Sequence, residues 1–212
     1  MMEKEDIFGR FIVLELDSNS IVWPLGFRLP HCTAVSPNRP PEALHRFFAG
    51  LTEYAFQTRM GVVDTTLIDY VTDLLVRFVR YDALLSLRNL SGQRVDAVAH
   101  MLVEAEARVG DARRKAHRHI GDFTLFWTGV YPETLRSSRA GHAHDFFQDY
   151  CEHGKRAYYI ASTIEVPPPD DEAEVLQRLS HEFDLCAYGL GEVRREWERR
   201  EPDAGTGPIV IE

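Results

Sequence analysis

An all-α, multi-helix bundle with a small β-prone element at the N-terminus is the fold predicted for this chain of 212 residues. Three observations carry that expectation. Leu176, Leu179, Phe183, Cys186, Leu190, Val193 and Trp197 alternate at spacings of three and four, the seam of a helix lying lengthwise in a bundle. Leu67, Val71, Leu74, Leu75 and Phe78 repeat at helical spacing in the same way. Ile120, Phe123, Leu125, Phe126, Trp127, Val130 and Tyr131 point nearly all the way round a helix, which marks a central one. With 44% hydrophobic residues, the chain can build one sizeable core and is short for two, so a single domain over 1–212 is expected.

The elements follow in order. Residues 1–41 read as irregular and β-prone: Phe11 to Leu16 and Ile21 to Trp23 flank Asp17-Ser18-Asn19-Ser20 as a hairpin would, and Pro30, Pro37, Pro40 and Pro41 hold an extended loop. Pro41 suits the first position of a helix whose Leu44, Phe47, Phe48, Leu51, Tyr54 and Ala55 share one face. Asp64 is the expected N-cap of the next helix, with Val63 and Ile68 as a hydrophobic staple, and its apolar repeat runs on to Leu87. After Ser91-Gly92, a third helix is expected to bury Val95, Val98, Ala99, Leu102, Val103 and Val109 and to pair Glu104 with Arg108 on its surface. The central helix follows and stops at Pro132, which starts a short helical turn over 133–136. A fifth helix, about 144–164, turns Phe147, Tyr150, Cys151, Gly154, Tyr158 and Ala161 inward. Pro167-Pro168-Pro169 ends it, the acids from Asp170 to Glu174 open the last helix, and the charges from Glu192 to Glu201 read as a solvated face. Residues 202–212 form a tail.

Composition excludes more than it assigns. A formal charge of −9 repels phosphate, which argues against nucleic acid or an anionic membrane as a partner. Cys32, Cys151 and Cys186 are odd in number and lack CxxC spacing, so neither a disulfide framework nor a thiolate zinc site is expected. The acidic start and the absence of a long apolar run lead to the expectation of a soluble, cytoplasmic protein without a membrane span. There is no HExxH, GxSxG, GxxxxGK[ST] or strand-following GxGxxG, and only Glu42-Ala43-Leu44-His45 matches half of a di-iron pattern. No cofactor is expected.

The most informative segment is Arg113 to Glu133, where a basic run passes into an apolar one through Gly121-Asp122. A buried, unpaired carboxylate costs several kcal/mol, so Asp122 needs a built-in partner such as Arg118, one turn earlier. From Glu104 to Asp122 there are five Lys or Arg against four Asp or Glu, a net +1 within an acidic chain. Arg113, Arg114, Arg118 and Asp122 are therefore candidate residues of a site for a small anionic ligand or an acidic protein partner. The structural alternative is a helix junction in which the same arginines pair with the acidic body of the chain.

Three stretches, Asp69 to Phe78, His117 to Gly129 and Gly154 to Tyr158, resemble corresponding parts of a family of uncharacterised bacterial helical proteins that share a Gly-Asp-x-x-Leu-Phe segment. The resemblance spans roughly 64–165; it implies a helical bacterial protein and transfers no catalytic residue. The histidines offer one further chemistry. His119 with His144 and Asp145, and a later acid such as Asp184, fit in kind the His and His-Asp ligands of helical metal phosphohydrolases, where imidazole and carboxylate hold an ion that activates water. The function expected from the sequence is a non-catalytic binding or interaction module, whose helical faces leave room for a homo-oligomer; the metal-dependent phosphohydrolase is the alternative.

Overall fold

The computed structural model describes residues 42–78, 87–88, 92, 97–136, 146–166 and 172–200. The β-prone N-terminal element, Pro41, Leu85, Val95, the Pro167 to Pro169 stop, His144, Asp145 and the tail lie outside the described residues. Within them the protein is an all-α, multi-helix bundle.

Its elements are α1 (Glu42–Glu53), a π-helical continuation (Tyr54–Arg59), α2 (Thr65–Phe78), α3 (Val98–Glu106), α4 (Gly110–Val130), α5 (Pro132–Arg136), α6 (Phe146–Thr163), α7 (Glu172–His181) and α8 (Phe183–Arg200). The central helix of the sequence is α4, which packs most extensively on α6 and then on α8 and α3. Its apolar residues face two cores. Leu125, Phe126 and Val130 join the larger one, built with α1, α2, α6, α7 and α8, while Ala116, Ile120 and Phe123 join a smaller one with α3, Leu135 and Tyr150. Trp127 packs against both. A helix sandwiched in this way has no solvent stripe to spare, which is why its sequence is apolar on nearly every side.

The caps and seams correct the sequence reading in places. Asp64 does cap α2: its Oδ1 accepts from the Leu67 backbone N–H at 3.1 Å. The staple does not close, because Val63 is 80% exposed while Ile68 is buried. Gly61, at φ 72°, turns the chain so that Val62 faces the core instead. On α3 the buried residues are Val98, Met101 and Ala105, and Val103 and Val109 face solvent; the apolar face lies a step away from the one expected. Glu104 and Arg108 do not pair; Arg108 donates to the Arg88 carbonyl at 2.6 Å.

The expected last helix is two, α7 and α8, interrupted at Glu182, yet all seven residues of its seam are buried. Its charged end is only partly solvated. Glu192 and Glu196 are buried, Glu192 accepting from Arg195 at 2.5 Å and lying 3.4 Å from Arg59, and Glu196 accepting from Arg199 and Arg200. The π-helical stretch carries no sequence signal. No described helix is long and apolar enough to cross a membrane.

Candidate functional site

The densest polar constellation centres on Asp122, which is 4% exposed in the middle of α4. Its Oδ1 accepts from the Tyr70 hydroxyl at 2.7 Å and from the Tyr158 hydroxyl at 2.8 Å, and its Oδ2 accepts from Arg77 at 2.9 Å. Arg118 is near, with Nε 3.9 Å from Oδ2, but its Nε donates to the Tyr70 oxygen at 3.3 Å. The partner expected from spacing is thus a neighbour, and the close cation comes from α2. Arg77 and Arg118 both lie over the Tyr70 ring, at 5.5 and 5.6 Å from its centroid.

The Gly121-Asp122 dipeptide has a steric reason. A Cβ at position 121 would meet the Tyr158 ring at 2.6 Å, so only glycine lets that ring lie on α4 and turn its hydroxyl to the neighbouring carboxylate. One dipeptide supplies both the room and the acceptor.

Electrostatics makes this a closed structural hub. Burial, together with the charge of Asp122, pushes the Tyr70 and Tyr158 phenols well above their ordinary pKa, so they stay protonated donors. Burial pulls the Arg77 guanidinium down, but Asp122 and Tyr70 outweigh it and hold it above its ordinary value. None of these groups is poised to transfer a proton near neutrality. Burial likewise pushes the Cys186 thiol up to about 12, which leaves it a protonated core residue.

The basic run is engaged inside the protein. Arg113 donates to Glu106 at 2.6 Å; Arg114, itself 4% exposed, donates to Glu172 at 3.1 Å; and Arg118 pairs with the other oxygen of Glu172. The junction of α4 with α7 and α2 uses these cations to tie helices together. His119 sits on α4 with its ring beside those of Phe78, at 6.1 Å, and Phe123, at 6.4 Å. Among the described residues no three His, Cys, Asp or Glu side chains converge as metal ligands would; His144 and Asp145 are not among them. Asp184 is held by Lys155 at 2.7 Å.

Sequence reasoning placed Asp122 in the core but missed Tyr70, Arg77 and Tyr158. The four residues fall in three separate stretches, Asp69 to Phe78, His117 to Gly129 and Gly154 to Tyr158, and nothing in their local pattern couples them.

A second feature has no counterpart in the sequence reading. Between α4, α5, α6 and α8 lies a groove of about 700 Å³. Its floor includes Gly129, Ala187 and Gly191, and its walls carry Arg136, Phe147 and Tyr188. Tyr188 is 57% exposed. Arg136 stacks 4.1 Å above the Phe147 ring.

No family model matches the chain, and neither a curated protein nor a solved structure matches it.

Proposed function

We propose that this chain is a non-catalytic binding module, a stiff helical body that holds a small ligand in a surface groove. The observation that carries this reading is the groove of about 700 Å³ on the face formed by α4, α5, α6 and α8. That volume falls within the range of sites for small molecules, roughly 300–1,000 Å³. The reading is supported by the division of labour among polar residues. The buried hub at Asp122 and the arginines of the basic run are spent on holding helices, which keeps the groove walls in fixed relation. Polar side chains such as Arg136 and Gln148 line the groove and can donate hydrogen bonds to a ligand.

Thermal unfolding in the presence of a ligand panel tests it. Organic acids, phosphate esters, amines, neutral sugars and divalent metal ions each go in one arm. A true ligand at a hundred times its Kd stabilises the folded state by about 2.7 kcal/mol, a rise of roughly 5–10 °C for a protein of this size. A panel that leaves the midpoint unchanged throughout refutes the reading. A divalent metal alone raising it, with the shift lost in His144→Ala, would favour the metal-dependent alternative instead.

A further inference from the structure

Resting on the reading above, we propose that the groove takes a small organic anion with a planar ring, its acid group on Arg136 and its flat face over the bare floor at Gly191. Arg136 decides the sign of the ligand. Arg194 is committed to Glu133 at 2.5 Å, Glu198 at 2.7 Å and the Val130 carbonyl, and Arg195 to Glu192 at 2.5 Å. Lys155 is held by Asp184 at 2.7 Å. Arg136 has no carboxylate partner among the described residues; it lies over the face of Phe147. A guanidinium lying over an aromatic face keeps the N–H fork along its own edge open, the geometry that takes a carboxylate, sulfonate or phosphate on two bonds. On a protein of net charge −9, a guanidinium that lines a concavity and has no carboxylate partner among the described residues selects an anion locally where the overall field would not.

Gly191 decides the shape. A Cβ built there would meet only the Gly129 carbonyl at 3.4 Å and an Arg195 nitrogen at 3.8 Å, ordinary contacts, in contrast to the collision at Gly121. Packing within the protein therefore does not demand glycine at 191, and glycine weakens a helix interior. What its missing side chain does is leave the groove lining bare at that point, room that a larger residue would fill and that suits the flat face of a ring. Tyr188, 57% exposed, supplies an aromatic ring beside that floor.

The test uses 1-anilinonaphthalene-8-sulfonate, an aromatic sulfonate of the proposed chemistry, titrated by fluorescence against the full chain. Competition by benzoate and by inorganic phosphate separates ring recognition from charge alone. The expected result is saturable one-to-one binding, weakened about tenfold in Arg136→Gln and abolished in Gly191→Leu, with benzoate competing and phosphate not. Far-ultraviolet circular dichroism and an unchanged thermal midpoint show that both variants are folded; if Gly191→Leu is not, exposed Arg136→Gln decides alone. Binding that is unchanged in Arg136→Gln overturns the proposal while leaving a binding role elsewhere intact. Absence of saturable dye binding overturns it too, and the broad ligand panel then shows whether the binding reading fails with it.

Discussion

Replacing Asp122 by alanine removes the acceptor on which three donors from two helices converge, and the cost can be worked out donor by donor. Tyr158 is fully buried, so its hydroxyl loses a 2.8 Å bond and meets no water; an unsatisfied buried donor of this kind costs about 1–3 kcal/mol. Arg77 loses its 2.9 Å partner, but its side chain is 32% exposed and can turn to solvent. Its share is therefore well below the roughly 3–5 kcal/mol of breaking a wholly buried pair, and about 1 kcal/mol is reasonable. Tyr70 is half-buried and loses a 2.7 Å bond, for about another 1 kcal/mol. The expected total for Asp122→Ala is about 4 kcal/mol, a large part of the roughly 5–15 kcal/mol that holds a typical domain together.

Equilibrium urea unfolding near neutral pH, followed by circular dichroism, reads this as a lowered midpoint at unchanged slope. Asp122→Asn keeps an acceptor oxygen but not the charge, and is expected to lose about half as much. The cycle of Asp122→Ala with Tyr158→Phe isolates their bond, and a coupling of about 1–2 kcal/mol is expected. If Asp122→Ala lies within about 0.5 kcal/mol of the parent, or the cycle is additive, the hub does not hold the helices and the reasoning fails.

Two further predictions concern neighbours of this hub on α4. Gly121→Ala forces a Cβ to within 2.6 Å of the Tyr158 ring, and a loss of about 1–3 kcal/mol is expected in the same urea assay; an unchanged midpoint would show that α6 shifts freely. His117 is fully buried; neither ring nitrogen makes a hydrogen bond, and Nε2 lies 3.5 Å from Glu106. Burial, with Arg113 and Arg156 adding repulsion, lowers its pKa despite the attraction of Glu106, so the unfolded chain takes up a proton that the folded chain refuses. Stability should then fall as pH drops below the unfolded value of about 6.5 and level off once the folded value is passed. His117→Leu should flatten the pH dependence of the urea midpoint in that window; an identical slope in both proteins would remove His117 as its source.

How much of this was legible in the sequence depends on the range of the interaction. Helices were readable because burial repeats every three or four residues, and the all-round apolar pattern of α4 placed it between neighbours before any coordinates did. The cap at Asp64 was readable for the same reason: donor and acceptor are three residues apart. The failures have a common cause in contacts that no local pattern encodes. Val103 has the composition of a core residue but lies on the side of α3 that no other described helix covers, and Glu192 and Glu196 have the composition of a surface but are buried among arginines. Asp122 announced that it needed partners, since a charge in an apolar run must be answered; Tyr158 and Arg77 stand 36 and 45 residues away, and only the fold could choose them over the adjacent Arg118. The groove lies further along the same scale. Its parts are an ordinary arginine, two aromatics and a glycine from three helices, and no local pattern ties them to one another. A site built from unremarkable residues leaves its trace in their arrangement, so the burden of testing falls on the Arg136 guanidinium and on the bare backbone of Gly191, which line the groove.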